Sequence, residues 1–424
     1  MSTLILLVGG NPLPNYVVAR YLLSQGHLSS NILLIHSSSN DRIQGTAEVA
    51  KRLRLSIQAL EKEGWKGEVI LCPVKDTANS YELEGLLHSE ITRLERASRQ
   101  PEEIHLNYTG GRKTMAVYTY RAVQQLKKNG RKVEISYLDQ DWFKLRYDDE
   151  RGREEPRAGD LRDLVKLSLE ELIELHNCER VDKPEDLSAY LPLAEAIYAL
   201  AAEPLINKGK DNQYKTYLSL INNNSKIPVA TPGPSIAQIE SLTTALFFLG
   251  SEFSWDKIDT LNKISQKFLR GGWLEQVVFN HLSKQKGDEK FLKPFVPITE
   301  CFPNVEAIYG GSSDRMELDV VLLRGYELIV VSCTTMGYGT SKADKNEKGR
   351  REIKLKAFEV WQRARQLGGE EARAIVVTLA GRDVVEGIRQ DLRNDFLGND
   401  FKLYLLGQED LSNLEGAFKR ILKP

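Results

Sequence analysis

Asn107-Tyr108-Thr109-Gly110-Gly111-Arg112-Lys113-Thr114-Met115 is the stretch on which the fold turns. It follows an apolar run, Glu103-Ile104-His105-Leu106, that reads as a strand. It opens a helical pattern that continues to about Lys128. The two glycines allow a tight turn and a close backbone approach to a ligand. The residues after them place backbone N–H groups, Arg112, Lys113 and Thr114 at a helix N-terminus, which is an anion site. The GxxxxGK spacing of a Walker loop is absent.

Outward from this motif, strand and helix patterns alternate over residues 1–150. Strands are expected at 3–8, 31–36 and 68–73, and helices at 16–24, 42–63 and 82–97. Residues 132–138 and 142–147 read as a closing hairpin around Asp139-Gln140-Asp141. The order argues a doubly wound, mostly parallel sheet. Ligands of such sheets bind outside the carboxyl ends of the strands. Three loops there carry suitable groups: residues 9–15, the serine run with Ser37 and Ser38, and residues 109–114. No GxGxxG follows the first strand, which argues against a nicotinamide site.

The 424 residues suffice for two or more domains. A net charge of −1 carries no global basic excess, so nucleic-acid contact must come from local patches. Four scattered cysteines, with no CxxC pair, argue against a disulfide framework and a structural zinc site. The N-terminus reads as a strand, not a signal peptide, and no apolar run is long enough for a bilayer. These features predict a cytoplasmic protein without a membrane partner.

Residues 148–162 read as a charged linker and 161–176 as a helix. Within 151–254, a linker and helical middle, 187–202 and 238–248 are expected to be helical, 207–234 mostly exposed loop with a short helix near 214–221. A second α/β unit is expected over 255–424. There, Gly271-Gly272-Trp273-Leu274-Glu275 opens a helix. Met316-Glu317-Leu318-Asp319-Val320-Val321 is a strand whose period of two puts Glu317 and Asp319 on one face. Residues 327–333 form an almost wholly apolar strand next to it. Two acids beside a buried hairpin must be solvated, paired or metal-bound. Carboxylates are the usual ligands of Mg²⁺ and Mn²⁺, which assist phosphodiester cleavage. A basic run over 341–356 suits a phosphate backbone, with Tyr326 and Tyr338 available for base stacking.

The Gly9-Gly10-Asn11 loop and the Asn107–Met115 motif together resemble a CARF domain, a Rossmann-like sensor of CRISPR ancillary proteins. The resemblance implies a homodimer that binds a cyclic oligoadenylate, cyclic tetra-adenylate being favoured. It implies ligand contacts from Gly10, Asn11, Thr109, Gly110, Gly111, Arg112, Lys113 and Thr114. Glu275, then Glu317 and Asp319, then the apolar strand, resemble the restriction-endonuclease-like PD-(D/E)xK half of CARF-activated nucleases of the Card/Can type. That implies a ligand-activated effector of type III CRISPR antiviral defence that cleaves DNA, RNA or both, with Glu275, Glu317 and Asp319 holding the metal. One departure stands out: where the family has Glu-x-Lys, this chain has Ser332-Cys333-Thr334. Either Lys354 or Lys356 stands in for the lysine, or the domain binds without cutting. A third reading is a ring nuclease that degrades its own messenger.

Overall fold

Among the described residues the alternating pattern resolves into two six-stranded sheets. The structure, a computed structural model, describes residues 2–26, 31–39, 44–60, 65, 67–99, 103–148, 159–181, 190–202, 214, 217, 267–292, 296–313, 315–337, 347–394 and 402–423. The expected helix at 238–248, most of the 207–234 loop, and Tyr338 with the first half of the basic run lie outside these residues.

The first sheet contains β1 (Ser2–Val8), β2 (Asn31–Ser37), β3 (Glu68–Val74), β4 (Glu103–Asn107), β5 (Val133–Asp139) and β6 (Lys144–Tyr147). Their order is β3-β2-β1-β4-β5-β6, with β1 to β5 parallel and β6 antiparallel to β5. Leu4, Ile5, Leu6 and Leu7 of β1 are completely buried, because helices cover both sheet faces. Strand order reverses between β1 and β4, where such sheets open a ligand crevice.

The second sheet runs β12-β11-β10-β9-β8-β7. Its strands are β7 (Cys178–Arg180), β8 (Glu300–Tyr309), β9 (Arg315–Arg324), β10 (Glu327–Thr334), β11 (Arg373–Thr378) and β12 (Leu403–Leu406). The β10 to β12 ladder is parallel, and the remainder is antiparallel. Strand β8 has no counterpart in the sequence reading, because Phe302-Pro303-Asn304 breaks its apolar alternation. Strand β7 comes from the segment read as linker and helical middle, and it forms an edge of the second sheet.

The expected helix at 161–176 is two helices, Leu161–Leu164 and Leu169–Leu175. Val165 is extended between them, and the Leu167 N–H turns to the Gly325 carbonyl at 3.1 Å. Ser168 and Glu171 then form a capping box that starts the second helix. Arg162, read as the end of a solvated linker, is buried beneath this break. It pairs with Asp160 at 2.6 Å and with Glu327 at 2.7 Å. Arg373 and Arg324 also face Glu327. Burial alone would raise the Glu327 carboxyl, but the guanidiniums of Arg373, Arg324 and Arg162 hold it at about 2.

The two sheets share one core. Leu138, Phe143 and Leu145 of the first unit pack in the same cluster as Tyr326 and Leu328 of the second. Tyr326 is therefore no stacking platform: its ring is completely buried, 6.0 Å from that of Phe143. No helix among the described residues is long and apolar enough to cross a membrane.

Candidate functional site

Two surfaces gather the residues singled out above. The first lies at the carboxyl ends of β1 and β4. A Cβ at Gly110 would fall 2.1 Å from the Leu7 carbonyl oxygen, so only glycine fits there. Gly111 has φ +78°, and a Cβ there would meet Leu7 Cβ at 2.9 Å. The motif's glycines thus serve contact between its loop and the backbone of β1. Asn15 Nδ2 locks the same place by donating to the Leu7 carbonyl at 2.9 Å.

Beyond these glycines the helix Lys113–Lys128 begins with no side-chain cap and no acid in its first turn. Its free N–H groups, with Arg112 and Lys113 exposed beside them, leave an uncompensated positive helix end. Gly10 is exposed nearby, while Thr109 and Thr114 are half-buried. Thr109 Oγ1 accepts the Leu138 N–H at 2.6 Å, which ties the loop to β5. The serine run, a polar turn and helix cap in its bland reading, is tied into the fold. Ser37 is buried, its N–H donates to Thr46 Oγ1, and Thr46 in turn donates to the Val8 carbonyl. The Ser38 N–H bonds the Val74 carbonyl. Asn11 turns its carboxamide to the second unit, where Nδ2 lies 3.3 Å from Glu371 Oε2.

The second surface is a cleft of about 300 Å³ on the β9–β10 hairpin. Its lining includes Glu317, Asp319, Ser332 and Lys356. Hairpin register opposes Val331 to Val320, which brings Ser332 alongside Asp319. Ser332 Oγ donates to Asp319 Oδ2 at 2.9 Å and the Cys333 N–H does so at 2.6 Å. Lys356 Nζ reaches the Cys333 carbonyl at 3.0 Å and stands 3.6 Å from Asp319 Oδ2. Thr334 is used locally, accepting the Met336 N–H at 3.3 Å.

Lys356 comes from the long helix Glu347–Gly368. Lys354 is two residues away, which in a helix is nearly the opposite side. It lies 3.9 Å from Asp391, beside the Arg350–Asp391 pair. The structure therefore brings Lys356, and not Lys354, to the acids. Glu359 and Arg363 follow Lys356 on the same helix face and also line the cleft, as does Arg315. The sequence reading missed these three, although the spacing of 356, 359 and 363 was a legible signal.

Glu275 enters from another element. A π-helical turn, Phe268–Gly272, is interrupted at Gly271, and the helix Trp273–Ser283 starts after it. This sets Glu275 in the first turn of that helix. Burial, and then the charge of Asp319, push the Glu275 carboxyl well above its ordinary pKa. Glu317 is more exposed and lies 4.0 Å from Lys267.

Among the described residues no three His, Cys, Asp or Glu side chains form a metal-holding group. The donor chemistry nevertheless fits a hard dication, because Glu275 and Asp319 are oxygen donors and the Asp319 charge makes Glu275 costlier to ionise. Lys356 partly offsets the Asp319 charge as the side chains stand.

The profile of the Card1-like endonuclease domain family matches residues 262–420. That segment is similar to a Card1-like endonuclease domain. With the doubly wound sheet before that segment, the chain has the fold of two solved structures. Protein VC1899 from Vibrio cholerae superposes with a TM-score of 0.66 at 15% identity, covering 99% of this chain and 97% of that one. Can2 from Sulfobacillus thermosulfidooxidans, in complex with cyclic tetra-adenylate, superposes with a TM-score of 0.64 at 16% identity, covering 99% and 96%. None of the curated proteins compared matches this sequence.

Proposed function

We propose that this Card1/Can2-type chain is a ligand-activated nuclease of type III CRISPR antiviral defence. Its activator is a cyclic oligoadenylate, cyclic tetra-adenylate being favoured, and its substrate is DNA, RNA or both. The observation that carries the nuclease reading is the Lys356 ammonium at 3.6 Å from Asp319 in one cleft. The position that departs from Glu-x-Lys therefore lacks an acid, but the cation arrives from the neighbouring helix. The sensor reading rests on the uncapped helix end with Arg112 and Lys113, which suits phosphate. A ring of like phosphates suits a twofold interface, so the active species is proposed to be a homodimer.

In this reading Glu275 and Asp319, with Glu317 at the rim, hold Mg²⁺ or Mn²⁺. The bound ion supplies charge neutralisation at the scissile phosphate and a more acidic water. Ser332 and the Cys333 N–H fix the Asp319 carboxylate, so that its orientation does not depend on the substrate. Lys356 presents a positive charge where negative charge develops on the phosphate oxygens. Arg315 and Arg363 extend the cationic wall along which a phosphate backbone lies.

Calorimetry with cyclic tetra-adenylate tests the sensor half. The wild-type chain is expected to bind, and Arg112→Glu combined with Lys113→Glu to weaken binding at least about 100-fold, since charged contacts contribute roughly 1.5–3 kcal/mol each. Unchanged affinity in that double variant would move the ligand away from this loop.

A further inference from the structure

Asn11 belongs to the loop after β1, yet its side chain is held by the endonuclease half. Its Oδ1 accepts the Leu13 N–H at 3.0 Å, so Nδ2 must point the other way, to Glu371 Oε2 at 3.3 Å. His176 Nε2 approaches the same Oδ1 at 3.2 Å. Gln140, in the β5–β6 turn of the sensor sheet, donates to Glu371 Oε1 at 2.8 Å. Both Glu371 oxygens are thus occupied by sensor side chains. Gly369 packs against the same amide: a Cβ there would fall 2.1 Å from Asn11 Nδ2. Glu371 itself is completely buried, and burial pushes its carboxyl up to about 7.

The place of Glu371 in the chain matters. It ends the short helix Gly369–Glu371, directly after the helix that carries Lys356 and directly before β11. We infer that Glu371 is a positioning residue that holds Asn11 of the ligand loop in its resting orientation and so couples messenger binding to the cleavage site. The inference rests on the ligand-activated nuclease reading above. With its oxygen engaged by Leu13 and His176 and an amide hydrogen by Glu371, the carboxamide presents that oxygen to a ligand only by turning. A ligand that turns the Asn11 carboxamide toward itself breaks its bond to Glu371, which loosens the end of the Lys356 helix. Because the contact belongs to the resting state, weakening it shifts the population toward the active state, which tightens ligand binding and raises ligand-free activity together.

The test compares full-length wild type, Glu371→Ala and Gln140→Ala. Cyclic tetra-adenylate affinity is measured by calorimetry, and cleavage of labelled single-stranded DNA and RNA with Mn²⁺ is measured with and without the ligand. Glu371→Ala is expected to raise ligand-free cleavage and ligand affinity by roughly fivefold or more, the lower end of usual coupling, and to reduce the stimulation ratio accordingly. Gln140→Ala is expected to shift both in the same direction by less. It decides the matter if Glu371→Ala shows no cooperative thermal transition. Folded variants whose affinity and ligand-free rate both stay within about twofold of wild type, below the usual range of coupling, would overturn the inference. A lower stimulated rate with an unchanged ligand-free rate would also overturn it, since that is the behaviour of a rigid strut. Wild-type protein that neither binds the ligand nor responds to it would instead sink the functional reading, and this inference with it.

Discussion

Asp319→Ala is expected to lower ligand-stimulated cleavage by roughly 10²–10³-fold, the usual cost of disabling electrostatic stabilisation of a transition state, here through the ion and the lysine that Asp319 is proposed to hold. Asp319 is the hub of the cleft. Ser332 Oγ, the Cys333 N–H and the Lys356 ammonium all converge on its Oδ2. Removing the carboxylate leaves Lys356 without its countercharge and takes away one of the oxygen donors proposed for the metal. Cyclic tetra-adenylate affinity, measured on the same preparation, should stay close to wild type, because the sensor loop is on the other sheet. Asp319→Asn separates charge from shape. Its amide oxygen can still accept from Ser332 and Cys333, so the fold of the hairpin is kept. An activity loss as large as that of the alanine variant would place the effect in the negative charge. Full activity in either variant would exclude this cleft as the site of cleavage.

The second large effect concerns the lysine. Lys356→Ala is expected to reduce stimulated cleavage by about 10²-fold, whereas Lys354→Ala should stay within about twofold. The two residues are nearest candidates in sequence but lie on different helix faces. Lys356 Nζ meets the Cys333 carbonyl and Asp319, while Lys354 lies beside Asp391. A comparison of rates at saturating substrate separates chemistry from binding. A change confined to KM in Lys356→Ala would make the lysine a backbone contact only. The reverse pattern, with Lys354 essential and Lys356 dispensable, would show that the working cleft is arranged differently.

Much of this was legible in the sequence. The parallel core of the first sheet follows from short apolar runs such as Thr3 to Val8, buried on both faces. The close seat of the loop 109–114 on β1 follows from Gly110 and Gly111, whose missing Cβ atoms are what allow contact with Leu7. The Glu317 and Asp319 pair was legible from the period of two along β9. What escaped depends on long-range packing. Strand β8 carries a proline and an asparagine in its middle, and pairing with β9 and β7 makes it a strand. Arg162 sits in a charged stretch, and its burial depends on Glu327, 165 positions later in the chain. The choice between Lys354 and Lys356 needed the rotation of one helix against β10. Glu371 gave no local sign, because its partners Asn11 and Gln140 lie in the other half of the chain.

The most direct test of the central claim is a cleavage assay on the full-length protein. Supercoiled plasmid and labelled single-stranded DNA and RNA are each incubated with Mn²⁺ or Mg²⁺, with and without cyclic tetra-adenylate. The account predicts that at least one of these substrates is cut only when ligand and ion are both present. Tight ligand binding with no cleavage of any substrate under any of these conditions would contradict it. Ser332-Cys333-Thr334 would then mark a domain that binds without cutting.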